Sequence, residues 1–126
     1  IDQKKITYKQ FAILNAFLLR KLLSKIISKK IKIKWPNDLF HKKEKISGIL
    51  QEAITYNEKH YLIVGIGINT NIAPKNKSFS STSLKNIIYK KVDNKKILKK
   101  IKKEYEKFLI EIRKFSYLKL EKKYKN

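Results

Sequence analysis

Apolar positions along this chain follow two rhythms. Between residues 8 and 29, Phe11, Leu14, Leu18, Leu22 and Ile26 recur at steps of three and four, and Ile13, Phe17 and Leu19 widen the stripe. That spacing predicts an amphipathic helix with a broad buried face. Lys29 and Lys30 at its end suit the negative pole of the helix dipole. The same rhythm returns after Asp93, a good N-cap, through Ile97, Ile101, Tyr105, Phe108, Ile112 and Phe115, and predicts a second long helix. Between the two helices the period falls to two. Ile31, Ile33 and Trp35 alternate with lysines, which predicts a half-buried strand over 31–35 that Pro36 stops.

Two more strands are predicted over 45–56 and 60–68, joined by a hairpin turn at Asn57-Glu58-Lys59. The run Leu62-Ile63-Val64-Gly65-Ile66-Gly67-Ile68 shows little polar alternation, so the third strand is expected to be central and buried on both faces. A polar loop follows over 73–82, and the tail 116–126 shows no clear pattern. The expected architecture is α+β: one mixed, largely antiparallel sheet with both long helices on one face.

Composition narrows the picture. The 126 residues suffice for one domain or part of one, no stretch approaches the length needed to span a membrane, and the N-terminal residues lack the apolar core of a signal peptide. The absence of cysteine removes thiol nucleophiles, thiolate metal sites and disulfides, and fits a reducing, cytoplasmic setting. The net charge of +22 raises nucleic-acid binding as an alternative. Against it, only Arg20 and Arg113 are arginine, and the lysines spread over the whole chain instead of forming a tract. Aromatic residues such as Phe11, Phe17, Tyr105 and Phe108 fall on apolar helix seams, not among exposed cations. The charge is read as solvated surface with weak, unspecific affinity for polyanions, and no specific nucleic-acid partner is expected.

The chemistry concentrates in one stretch. All three glycines, Gly48, Gly65 and Gly67, lie in strand segments, where glycine otherwise only weakens a sheet; backbone approached closely by a ligand accounts for them. Asn37 and Asp38 follow Trp35-Pro36 at a strand end. Taken alone they are ordinary turn residues, but they also place a carboxamide able to pair with an adenine edge beside a carboxylate able to orient a lysine. Lys45 opens the strand that carries Gly48; it is either one more surface lysine or a compact cation for a carboxylate or phosphate. Gly65-Ile66-Gly67 lacks the third glycine and following helix of a dinucleotide fingerprint. His41 and His60 show no metal-ligand spacing. The residues by themselves define a ligand-binding domain, with a nucleotide as one candidate ligand.

Taken in order, Lys34-Trp35-Pro36-Asn37-Asp38, Lys45-Ile46-Ser47-Gly48-Ile49-Leu50, Gly65-Ile66-Gly67-Ile68-Asn69-Thr70-Asn71 and Thr82-Ser83-Leu84 resemble the catalytic domain of biotin protein ligases. Thr70 departs mildly from a position that is usually hydrophobic. The resemblance implies a partial class II aminoacyl-tRNA synthetase/biotin ligase-like fold. The implied activity is ATP-dependent conversion of biotin to biotinyl-5′-AMP, followed by acyl transfer to a lysine of a biotin carboxyl carrier protein of a biotin-dependent carboxylase. It implies that Lys45 meets the biotin carboxyl and the α-phosphate, and that Asp38 sets this lysine. Asn37 and Asn69 would address the adenylate, Gly48, Leu50, Gly65 and Gly67 would line the biotin slot, and Mg²⁺ would accompany ATP. A homodimer is compatible with it. The family's Gly-Arg-Gly-Arg loop has no counterpart in residues 1–126, so the chain is expected to be the central-to-C-terminal part of a ligase domain and inactive alone. Rival readings are a lipoate ligase-like enzyme of the same fold and the basic nucleic-acid module.

Overall fold

The computed structural model describes residues 6–75 and 78–125. Its first element is helix α1, Tyr8–Ile27, opened by a capping box. The Thr7 hydroxyl accepts from Gln10 N and the Gln10 side chain accepts from Thr7 N, which satisfies two donors that a helix start leaves unpaired. Ser28 ends the helix in the left-handed conformation, φ 53°. Four strands follow: β1 (Lys32–Lys34), β2 (Asp38–His41), β3 (Glu44–Tyr56) and β4 (Lys59–Ile68). They form a sheet in the order β1-β2-β3-β4, every neighbouring pair antiparallel, and a parallel bridge joins Lys45 to Ser81. Helices α2 (Leu84–Ile88), α3 (Asn94–Lys114) and α4 (Tyr117–Lys125) complete the described residues.

The α+β class and the largely antiparallel sheet agree with the sequence pattern. The predicted N-cap holds too, since the Asp93 carboxylate accepts from Lys95 N and Lys96 N. Three points in the assignment and order of elements differ. The strand β2 comes directly after the Trp35-Pro36-Asn37 turn, where the sequence reads as turn chemistry; the Trp35–Pro36 peptide is cis. The unread tail is the helix α4, tied down where buried Glu111 of α3 accepts from Lys123 Nζ at 2.7 Å and from Tyr124 Oη at 2.9 Å. The third correction is the largest. The strand expected to be central, β4, lies at the edge of the sheet, with Tyr61, Leu62 and Ile63 exposed.

Glycine explains that error. Val64, Ile66 and Ile68 point toward the core and are half-buried, while Gly65 and Gly67 take the other face. Glycine adds no polar signal, so a strand with one covered face reads as an uninterrupted apolar run.

Helix α1 lies between two apolar clusters. Ala16, Leu19, Leu23 and Ile27 pack on the sheet through Ile31, Leu39, Ile46 and Ile49. Leu14, Phe17 and Leu18 face the other way, toward Phe108, Leu120 and Tyr124 of α3 and α4. This double burial explains why its apolar stripe is so broad. It also places α3 differently from expectation. Only its N-terminal Ile97 and Ile101 join the cluster on the sheet, and the rest of its seam packs with α1 and α4. One face of the sheet is therefore covered, and the glycine face is open.

Candidate active site

The open face is built by pairing register. Asp38 stands opposite Gly48 across β2 and β3, and Gly48 stands opposite Gly67 across β3 and β4. The ladder between β2 and β3 slips: Leu39 pairs with Ser47 but Phe40 pairs with Lys45, which leaves Ile46 as an extra residue. In an unbroken strand Lys45 and Gly48, three apart, would face opposite sides. The bulge reverses that parity, so Lys45 shares the face of Asp38 and Gly48 while Ile46 stays in the core.

The result is an ion pair, Lys45 Nζ to Asp38 Oδ1 at 3.1 Å, with side chains 25% and 30% exposed. A half-exposed pair of this kind contributes little to stability, so its consequence is positional. A Cβ at Gly48 would lie 3.4 Å from both Asp38 Oδ1 and Lys45 Nζ, in contact with the pair, so atoms beyond a Cβ there would crowd it. None of the three glycines has a positive φ. Their common property is the missing side chain, not backbone conformation.

Lys45 is held from behind as well. Its N–H donates to Ser80 O at 2.9 Å, and its carbonyl accepts from Thr82 N at 3.0 Å. Asn69 Nδ2 donates to Thr82 O at 3.1 Å and to Lys45 O at 3.4 Å, and Asn69 N donates to Ile46 O at 2.9 Å. Two carbonyls can only accept, so the Asn69 amide must point its NH₂ inward. That turns Oδ1 the other way. The Phe79 ring covers the ammonium, 5.0 Å from centroid to Nζ.

A cavity of about 350 Å³ is lined by Lys45, Ser47, Gly48, Gly67, Ile68, Asn69, Pro74, Phe79 and Ser81. Next to it, a polar cleft of about 800 Å³ runs past Glu44, Asn71, Pro74, Phe79, Ser80 and Ser81. Pro74, Phe79 and Ser81 form the wall common to both. A third, apolar cavity of about 370 Å³ is lined by Tyr8, Ile13, Trp35, Pro36, Asn37, Ile49 and Leu50 among others.

The predicted site residues therefore separate. Asp38, Lys45, Gly48, Gly67 and Asn69 come together around one cavity or its rim. Leu50 and Asn37 line the apolar cavity, and Gly65, opposite Leu50, lines neither. Sequence reasoning missed Ser47, whose hydroxyl donates to Gly67 O at 2.7 Å, and also Phe79 and Ser81. A lone aromatic in the otherwise polar 73–82 loop was the available signal for Phe79. Neither histidine enters the site: His41 Nδ1 lies 3.2 Å from Lys30 O, and His60 Nδ1 lies 3.1 Å from Thr55 Oγ1. Among the described residues no group of three or more histidine, cysteine or acidic side chains could cage a metal. No helix among them is long and apolar enough to cross a membrane.

A fixed ammonium therefore stands at the end of a bare strand floor, beside a polar cleft. The sequence pattern of the biotin/lipoate A/B protein ligase family matches residues 4–69, and the chain belongs to that family. Its fold is similar to the apo structure of biotin protein ligase from Aquifex aeolicus, with a TM-score of 0.76 and 30% identity, over 92% of this chain and 52% of that one. It is also similar to the same enzyme in complex with biotin and ATP, with a TM-score of 0.78 and 28% identity, over 95% of this chain and 51% of that one. The biotin protein ligase of Leishmania major in complex with biotinyl-5-AMP shares the fold at a TM-score of 0.70 and 16% identity, over 94% of this chain and 54% of that one. The chain thus spans about half the length of the structures it matches.

Proposed function

We propose that this chain forms the central-to-C-terminal part of a biotin protein ligase and carries the cation that joins biotin to ATP. In this reading the biotin carboxylate attacks the α-phosphorus of ATP. The bond from α-phosphorus to the bridging oxygen breaks, and biotinyl-5′-AMP and pyrophosphate result. The amine of a carrier-protein lysine then attacks the acyl carbon, loses a proton and releases AMP. The carrier is a biotin carboxyl carrier domain of a biotin-dependent carboxylase, the setting is cytoplasmic, and a homodimer is compatible with this reading.

The observation that carries the proposal is Lys45, held 3.1 Å from Asp38 at the edge of the Gly48–Gly67 floor. Two anions approaching each other repel. An ammonium fixed beforehand lowers that repulsion and stabilises the charge that builds at phosphorus, without reorganising during the step. Asp38 keeps the ammonium over the floor and would help to set the acceptor amine. Gly48 and Gly67 leave room for the flat ring system of biotin, and Leu50 and Gly65 continue that surface along the hairpin. Oδ1 of Asn69 and the side chain of Asn37 are left to address the adenylate. Mg²⁺ would enter with the phosphates as part of the nucleotide.

Pyrophosphate release tests this in the intact ligase. Lys45→Ala should lower the rate of biotinyl-AMP formation far more than ATP binding, by a barrier of ~3–4 kcal/mol. Lys45→Arg should rescue only in part, because a planar guanidinium does not replace a point charge in a tight slot. Asp38→Asn should also be impaired, and Lys99→Ala, on α3, should be silent. A Lys45→Ala enzyme that turns over like the parent would remove the assignment. Supplying lipoate in place of biotin separates the two substrates of the family, and faster turnover of lipoate would reassign the specificity.

A further inference from the structure

The segment after the second cavity wall is laced to a single residue. Ser80 O, Thr82 N and the bridge at Ser81 all engage the backbone of Lys45, and Phe79, the residue before them, places its ring over that lysine's ammonium. Backbone and side chain of Lys45 are therefore gripped by one stretch of four residues. Asp38 holds the ammonium through one oxygen, which fixes a distance and not a direction, since an ammonium rotates freely about its stem. The ring face adds the second constraint. Its negative quadrupole attracts the cation, and its bulk closes the outward side. Phe79 is 38% exposed, so its ring stands at the outer side of the site.

We infer that Phe79 is a positioning residue for Lys45: its ring confines the ammonium between the Asp38 carboxylate and the Gly48–Gly67 floor, so that the cation meets an anion arriving from the polar cleft. This rests on the reading of Lys45 given above. The ring acts through the lysine and touches no reacting atom. Of the simple replacements, leucine keeps an apolar side chain but has no π face, whereas tyrosine keeps the face.

Two measurements test the inference. In the chain itself, the ε-methylene protons of Lys45, assigned through Lys45→Arg in lysine-labelled protein, should lie upfield of the other lysines because of the ring current. In Phe79→Leu they should return to the common position, and in Phe79→Tyr they should stay shifted. In the intact ligase, Phe79→Leu should lower kcat for adenylation about fivefold and leave KM for ATP within about twofold, the scale of a half-exposed cation–π contact. Phe79→Tyr should restore kcat. Unshifted Lys45 protons in the parent, or full kcat in Phe79→Leu alongside an inactive Lys45→Ala, would overturn the role of Phe79 and leave the ligase reading intact. A fully active Lys45→Ala would instead overturn the reading of Lys45, and the positioning role with it.

Discussion

Gly48 and Gly67 are direct cross-strand partners on the open face of the sheet, with Asp38 opposite Gly48 on the other side. Two adjoining positions without side chains make a bare patch at the foot of the Lys45 ammonium. A Cβ added at Gly67 would meet nothing closer than Gly48 O at 4.0 Å, so the fold accepts one there. Gly67→Val should therefore leave thermal stability nearly unchanged while weakening biotin binding more than about tenfold, as a mismatched apolar wall does. Calorimetric titration of the intact ligase and a melting curve decide it together. Unchanged affinity would mean that the floor is not the biotin slot.

Alkaline pH should loosen the helical side of the molecule. Burial raises Tyr105, and burial with Glu111 raises Tyr124; burial with Glu121 raises Tyr117 to about 12. Each folded tyrosine thus keeps its proton to higher pH than in the unfolded chain, where phenols titrate near ~10. The stability they contribute is complete below that value and is lost as pH rises through the folded-state values. Lys21, lowered by burial and by Lys25, acts in the opposite sense, but it is a single group against three. Urea melts should show stability falling between about pH 10 and 12, with a shallower fall in Tyr124→Phe. A rise over that range would refute the assignment.

Phe108 is fully buried where α1, α3 and α4 meet, with Phe11 and Tyr124 rings each 5.5 Å from its own. Phe108→Ala should cost about 3–5 kcal/mol in chemical denaturation, because three elements cannot all collapse into the space left. A cost below about 1 kcal/mol would mean that this cluster repacks freely.

With a net charge of +22 the chain should bind DNA or RNA. That binding should be weak, steeply dependent on salt and indifferent to sequence, because lysine contacts to phosphate release counterions without reading bases. Competition titrations at two salt concentrations are sufficient. Tight, sequence-selective binding at physiological salt would favour the nucleic-acid module over the ligase.

How far the sequence announces all this depends on what each residue signals locally. The periodicity of Ile97 to Phe115 is long and Asp93 is a strong cap, so α3 was legible to within a residue or so at each end. The pairing of Asp38 with Lys45 is suggested by order in the chain, but the bulge at Ile46 that brings them to one face has no sequence marker. Phe79 stands out in the sequence only as a lone aromatic in a polar loop, and its contact with Lys45, 34 positions away, has no local marker. The edge position of β4 was hidden by Gly65 and Gly67, the residues that make the open face useful.

The two-sided burial of α1 ties the halves of this molecule together. Its Leu19 and Leu23 belong to the cluster on the sheet, and its Leu14 and Leu18 belong to the cluster with α3 and α4. Neither half can open without stripping one side of the same helix, so amide protons in β3 and in α3 should exchange with solvent through one common event. Lys45, at the head of β3, is then only as steady as the grip on a helix whose far side faces α4.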